Sequence, residues 1–526
     1  MHRTLTRLGV ALALLASLTS AGPARAAPVV AQDAGAATYL LLTANSRLPA
    51  GLSEGVSAAG GTVLRAIPEI GVLVAASAEP AFPLRAADLP GVWSVAPNVQ
   101  VSVIDPGGRA AVSVNAGAIG DPPFSGDDDF YYDLQWGHAA VNAPQAWNAG
   151  RRGAGARVAI LDTGFDLDHV DLAPNINLAL SASFVPDEGL SYALPDAFSH
   201  GAQMAGIVAA ADNAFGLIGV APEAELVLVK VLRDTGVGEF DWLLRGIVYA
   251  AEVEADVINL GLGALLPARN PDGSHNVSVA VLRAALARAA AYAFERGATL
   301  IAAAGNDSRN GDADDGLIHL PSDAPGFISV AATGPLGWAL DPHIDLDIPA
   351  HYTNYGVRAI DFAAPGGNVD FDLLASGRIC TLPGVTAPCS VFDLVLSTGS
   401  NLDPGLPTYF FSSGTSLAAA YVSGVAALLI GAHGGELNPA LVRQALRRAA
   451  DDLGPPGRDA FYGFGRVNAE DLGPPGRDAA CGSEHDDLEA GGRPDRGRDC
   501  GRPDDVPGRP GRGAGNDRTR VGVFGP

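Results

Sequence analysis

Four residues in this chain have the types and settings that acyl-transfer chemistry requires. Asp162 ends the apolar run Arg157 to Asp162 and is followed by Thr163-Gly164. His200 opens the small-residue stretch HGAQMAGIVAA, Asn306 ends ATLIAAAGN, and Ser416 lies in FSSGTSLAAAYVSG, Phe411 to Gly424. A serine hydroxyl becomes a nucleophile only with a base beside it, and the base needs a carboxylate to hold its tautomer. The oxyanion that forms needs donors, which a side-chain amide and the backbone N–H groups of a first helical turn supply. Taken singly these residues say little. Ser416 reads equally well as an ordinary helix N-cap, and a strand-terminal Asp or Asn is an ordinary turn former. Together, in the order Asp162, His200, Asn306, Ser416, they form a complete reaction set.

The elements around them are of one kind. RVAILD (Arg157 to Asp162), ELVLVKVL (Glu225 to Leu232), DVINLGLG (Asp256 to Gly263), ATLIAAAGN (Ala298 to Asn306) and FISVAAT (Phe327 to Thr333) are near-continuous apolar runs. Runs without alternation predict strands buried on both faces, hence a mostly parallel sheet. Helical patterns fall between them, at Phe240 to Glu254 and Val277 to Arg296, so the expected class is α/β with helices on both faces. In such sheets functional groups collect at the carboxyl ends of strands, where Asp162 and Asn306 stand. The stretch after Gly414 is lined with Leu, Ala and Val and has no polar face, which predicts a buried helix with Ser416 in its first turn. A further helix opens with Asn438 as N-cap and Pro439 at its first position.

Residues 36 to 105 have a separate pattern. Thr38 to Ala44, Thr62 to Ser77 and Val92 to Ile104 read as strands, with two Ala/Leu-rich stretches as helices, a small α+β module ahead of the main domain. Gly, Pro and Asp dominate from Asp105 to Asp129, as in a linker. After Leu472 the composition collapses into Gly, Pro, Arg and Asp, the signature of a disordered tail. DLGPPGRDA at Asp452 to Ala460 recurs at Asp471 to Ala479.

The formal net charge of -24 argues against nucleic acid as a partner, since phosphate binding needs clustered Lys and Arg. His2, Arg3 and Arg7 precede the apolar run Leu8 to Leu18, and Ala24-Arg25-Ala26 supplies a small-x-small cleavage site, so residues 1–26 read as an export signal. No later segment reaches spanning length without polar interruption, and the mature protein is expected to be exported and soluble. Four cysteines suit an oxidising compartment. Cys380 and Cys389 are close enough to pair across a short loop, as are Cys481 and Cys500, and spacing alone does not fix the connectivity.

The motifs resemble those of the subtilisin-like serine proteases, the subtilases (peptidase S8). LDTG at Leu161 to Gly164 is similar to their aspartate motif, HGAQMAG at His200 to Gly206 to their histidine motif, AAAGN at Ala302 to Asn306 to their oxyanion asparagine, and SGTSLAAAYVSG at Ser413 to Gly424 to their serine motif. VAP at Val220 to Pro222, KVL at Lys230 to Leu232, DFAAPG at Asp361 to Gly366 and YGFGRVNA at Tyr462 to Ala469 extend the likeness over roughly Asp133 to Leu472. The resemblance implies a three-layer subtilisin-like α/β domain over residues 131–472, with an inhibitor-type propeptide and linker over 27–130 and a tail over 473–526. It implies a secreted, self-processing serine endopeptidase, extracellular or periplasmic, in which Ser416 is nucleophile, His200 general base, Asp162 its orienting carboxylate and Asn306 an oxyanion donor. The alternative is a catalytically silent protein of the same fold.

By the same resemblance, Gly236, Val237 and Gly238, and Leu260, Gly261, Leu262 and Gly263, flank an extended peptide that pairs as an added strand. Catalysis would need no cofactor. Asp171 and Asn213 stand where the family binds a structural calcium, an ion that takes oxygen ligands. The implied partners are polypeptide substrates and the chain's own propeptide, with no membrane span, and the protein is expected to be a monomer. Four positions depart from the pattern: Ala202 for Thr, Leu417 for Met, Ala420 for Pro and Gly261 for Ser. None supplies a reacting atom. Asp127 to Asp129 and the loop Asp307 to Gly316 read as solvated surface.

Overall fold

Each long apolar run that carries a reactive group becomes a strand with neighbours on both sides. The structure, a computed structural model, describes residues 35–103, 110–112, 128–313, 316–400 and 406–472. Residues 1–26, read as an export signal, Cys481, Cys500 and all but the first two residues of the second DLGPPGRDA lie outside the described residues. Seven strands form a wholly parallel sheet in the order Phe362–Pro365, Phe327–Thr333, Thr299–Ala303, Val257–Leu260, Arg157–Asp162, Glu225–Lys230, Ala182–Ser183. Alternate residues of one strand serve opposite faces. Val158 and Ile160 join the core beneath the helices His200–Ala209 and Thr415–Gly431, while Ala159 and Leu161 join the core beneath Phe240–Glu252 and Val277–Glu295. Two-sided burial is what the unbroken apolar runs require. The fold is the three-layer α/β arrangement expected.

Helix Thr415–Gly431 is buried along its length from Thr415 to Ile430, so it runs through the core. Helix Val277–Glu295 is long and apolar enough to cross a membrane by length and composition. Here its apolar positions Val281, Leu282, Ala285, Leu286 and Ala289 pack into the core.

The N-terminal module is an antiparallel sheet in the order Thr62–Ile67, Val72–Ser77, Ala37–Thr43, Val92–Pro97. One face covers its own helices, Leu52–Ala58 and Phe82–Ala87. The other, with Leu40, Leu42, Val72 and Val74, shares a core with the helices Phe240–Glu252 and Val277–Glu295. Polar contacts pin the join. Arg65 Nε meets Asp241 Oδ2 at 2.7 Å, Asn98 Nδ2 donates to Asp241 Oδ1 at 2.7 Å, and Arg288 donates to the carbonyl of Thr43 at 2.8 Å.

Three expected strands prove to be pairs. Thr62 to Ser77 is broken at Pro68–Ile70, where a 3₁₀ turn ending on Gly71 (φ 65°) reverses the chain. Val92 to Ile104 divides into Val92–Pro97 and Gln100–Val103, which join different sheets. Asp256 to Gly263 likewise ends in the central sheet at Leu260 and resumes beyond Gly261 as Leu262–Pro267, paired antiparallel with Leu317–Leu320. The edge strands Phe362–Pro365 and Ala182–Ser183 are too short to have announced themselves.

Candidate active site

The carboxyl end of the central strand Arg157–Asp162 and the first turns of two buried helices meet at one point. Asp162 is fully buried and accepts the N–H of Thr163 at 2.7 Å. Both its oxygens face His200 Nδ1, at 2.8 and 2.9 Å. A carboxylate only accepts, so Nδ1 carries the hydrogen and Nε2 is left as the acceptor. Ser416 Oγ lies 3.0 Å from that Nε2. His200 is 5% exposed and Ser416 1%, so the chain of hydrogen bonds is shielded from water.

The histidine is held from behind. Ser199 caps its helix, accepting the N–H of Ala202 at 2.9 Å, and its hydroxyl donates to the carbonyl of Gly164 at 2.5 Å. The N–H of Gly201 bonds Thr163 Oγ1 at 3.0 Å, tying the helix start to the loop after Asp162. Other buried histidines are differently placed. Burial pushes His138 and His169 down to about 4, and their Nε2 atoms lie 2.9 and 3.2 Å from backbone carbonyls. Neither has a serine hydroxyl beside it in its hydrogen bonds.

Asn306 reaches the serine helix through Thr415. Its side-chain oxygen accepts the Thr415 N–H at 3.0 Å and the Thr415 hydroxyl at 2.9 Å, and Thr415 Oγ1 accepts the N–H of Gly305 at 3.1 Å. A backbone N–H can only donate, which fixes the amide's orientation: oxygen toward Thr415, NH2 away from it. The Ser416 N–H is among the first-turn donors that helix geometry leaves without an intrahelical partner. Gly414, at φ 153°, makes the turn that precedes them. Sequence reasoning missed Thr415, because Asn306 lies 109 residues away and nothing local marks the contact.

Gly236, Val237, Gly238, Leu262 and Gly263 stand on two edges with a strand of the same chain between them. Gln100–Val103 pairs antiparallel with both, placing Val237 opposite Ser102, Gly238 opposite Val101, Leu262 opposite Val103 and Gly263 opposite Ser102. Val103 N–H donates to the carbonyl of Gly236 at 2.9 Å. Leu260 is different. It pairs with Leu161 and Ala302 inside the central sheet and is fully buried, so it does not reach the edge. Gly261 lies within the reactive group itself: a Cβ there would stand 3.0 Å from His200 Cε1 and 3.1 Å from Ser416 Cβ.

At the expected calcium position, Asp171 is buried and its carboxyl is pushed up to about 6 by that burial. Its Oδ2 accepts from Tyr409 Oη at 2.8 Å and from the N–H of Leu217 at 3.1 Å. Asn213 turns its NH2 to Asp171 and to the carbonyl of Val170, leaving its own oxygen without a hydrogen-bond partner. The oxygens that converge are those of Asp128, Asp129 and Asp212, all within 4.8 Å of one another. Asp129, read from sequence as solvated, is fully buried there and accepts the N–H of Phe215 at 3.2 Å. An all-oxygen set of this kind suits a hard cation. Cys380 and Cys389 are bonded across the hairpin Ile379–Leu382 and Val385–Pro388.

A parallel sheet with these groups at its carboxyl ends defines a subtilisin-like α/β serine endopeptidase, and the comparisons agree. The model of the subtilase family, Peptidase S8, matches residues 153–465. Subtilisin E of Bacillus subtilis (strain 168) is 30% identical over 342 residues, covering 65% of this chain and 71% of that protein. Subtilisin Savinase of Lederbergia lenta is 32% identical over 340 residues, covering 64% and 97%. The solved structure of the epidermin leader peptide processing serine protease of Staphylococcus aureus covers 85% of this chain and 99% of its own, with TM-score 0.63 and 20% identity, a likeness of fold. The chain belongs to the subtilase family.

Proposed function

We propose that this subtilase is exported as a zymogen and cuts peptide bonds, its own first, through Ser416. His200 takes the hydroxyl proton as Ser416 attacks the scissile carbonyl and later returns it to the leaving amine. Asp162 holds the ring in the tautomer that permits this and balances the charge it acquires. Asn306 Nδ2 and the Ser416 N–H receive the oxyanion, and water then hydrolyses the acyl-enzyme. The observation that carries the reading is the unbroken hydrogen-bonded series from Asp162 through His200 to Ser416, at 2.8 and 3.0 Å.

Residues 27–130 act as propeptide and linker and 131–472 as the catalytic domain. Support comes from the strand Gln100–Val103, which takes the place of a substrate between Gly236–Gly238 and Leu262–Gly263. Counted on by one residue from the Leu262–Val103 pair, the sequence makes Ile104–Asp105 the bond to be cut. Export rests on the charged, apolar and small-residue order of residues 1–26. The mature enzyme works as a monomer on polypeptides, and the oxygens of Asp128, Asp129 and Asp212, beside Asp171 and Asn213, suit a structural calcium.

The test is covalent. Full-length protein, incubated until processing ceases, is treated with a fluorophosphonate and mapped by mass spectrometry. One adduct on Ser416, absent from Ser416→Ala, is expected. A folded, processed protein that takes no adduct would instead be the silent binding protein.

A further inference from the structure

A hollow lies at the end of the central sheet opposite Ser416. Asp162 and Asn306 stand at or just beyond the carboxyl ends of their strands, whereas a cavity of about 750 Å³ opens where Thr299–Ala303 and Phe327–Thr333 begin. Arg283 and Phe294 both line it from helix Val277–Glu295. They are about three turns apart on one face, so the cavity extends over roughly 16 Å. Phe294, Ala324, Pro325 and Phe327 give it an apolar wall, and Arg283, Arg358, Arg443 and Arg458 a cationic one.

Asp312, Asp323 and Asp361 share these arginines, and each is already engaged. Arg443 and Arg458 both hold Asp361, at 3.4 and 3.5 Å. Asp323 Oδ2 accepts the N–H of His319 at 2.8 Å, and Asp312 that of Arg358 at 3.0 Å. Arg283 is less occupied. It donates through Nε to the carbonyl of Asp323 at 3.1 Å, its one hydrogen bond among the described residues. A guanidinium is a planar fork of donors that matches a carboxylate, and here both terminal nitrogens are left for one. Further along, Thr299 and Ser329 are 4% and 3% exposed, and among the described residues neither hydroxyl has a hydrogen-bond partner. Buried donors of this kind are costly until an acceptor meets them.

We propose that the cavity binds a short, extended, apolar peptide by its free carboxyl terminus. The carboxylate sits on Arg283, main-chain carbonyls serve Thr299 and Ser329, and side chains rest on Phe327 and Phe294. About five residues in extended form cover the length. A fatty acid would satisfy the arginine but not the hydroxyls. The site is separate from the cleft, and the inference does not depend on the proteolytic reading.

The test is calorimetric, on the full-length Ser416→Ala chain, in which probes survive and Gln100–Val103 keeps its place between Val237–Glu239 and Leu262–Pro267. The probes are acetyl-Ala-Val-Ala-Leu-Leu with a free carboxyl end, the same peptide as its amide, decanoate and inorganic phosphate. The free acid should bind one to one, and the amide at least about tenfold more weakly, the scale of a charge-assisted hydrogen bond. Arg283 is exposed, so Arg283→Gln should melt as the parent does. It should lose about tenfold in affinity for the acid and little for the amide. Arg378→Gln, which removes an exposed cation beside the disulfide hairpin, should change neither. No binding of the acid, equal binding of acid and amide, or an unmoved affinity in Arg283→Gln overturns the site. Decanoate or phosphate bound as tightly as the acid overturns a peptide as its ligand.

Discussion

Between Ser416 and Asn306, the proposed nucleophile and oxyanion donor, stands Thr415, which holds Asn306 by one O–H and one N–H and accepts the N–H of Gly305 besides. Removing its hydroxyl leaves the Asn306 oxygen one donor short and the buried Gly305 N–H without its acceptor, a loss worth about 1–3 kcal/mol. Thr415→Val should accordingly lower kcat by about tenfold while KM stays near wild type, because the loss falls on the transition state. Steady-state kinetics on one peptide check this, and an unchanged kcat would contradict it. Asp162, His200, Asn306 and Ser416 were legible in sequence because each sits in a short motif whose neighbours are as telling as the residue itself. The part of Thr415 was not, although it lies in one of those motifs, and Gly261 was read only as peptide-flanking backbone, not as a neighbour of His200 and Ser416. Their meaning lies in what they touch across the site, and spacing along a chain does not carry that.

The helices and strands repeat the lesson at larger size. Continuous apolar runs disclosed five of the seven parallel strands, since two-sided burial leaves no room for alternation. They did not disclose where the chain turns. Thr62 to Ser77 is apolar through a reversal, and only Pro68 and Gly71 hint at it. The turn Cys389–Asp393 shows a partnership equally hidden. Asp393 is buried and accepts the N–H groups of Gly337 at 2.9 Å and Trp338 at 2.7 Å, from a loop more than fifty residues earlier. Burial raises its carboxyl from 3.8 to about 6. The fold thus favours the protonated form, so this group's contribution is fully present below about 3.8 and is lost as pH rises through about 6. Asp393→Asn keeps an oxygen for both N–H groups and has nothing to ionise. Relative to wild type, the variant should gain up to about 3 kcal/mol between pH 4 and pH 7. Paired thermal melts at the two pH values measure it, and a constant difference would remove Asp393 as the cause.

At the scale of the whole molecule, the N-terminal module is bound to the main domain by a shared core, by Arg65 and Asn98 on Asp241, and by the strand Gln100–Val103 paired between Val237–Glu239 and Leu262–Pro267. Composition had indicated two folded units but not their embrace, because the face of the module that meets the helices Phe240–Glu252 and Val277–Glu295 reads like any other sheet face. The chain's charge tells a similar story. Its only lysine, Lys230, is fully buried between Asp234 and Glu188, so the lone ammonium serves structure. The measurement that bears most directly on the account is the intact mass of wild type and Ser416→Ala, followed in parallel after purification of the full chain. Wild type should lose its N-terminal module by a cut between Ile104 and Asp105, while Ser416→Ala, equally folded, stays whole. Equal processing of both, or of neither, would contradict a chain that matures by its own Ser416.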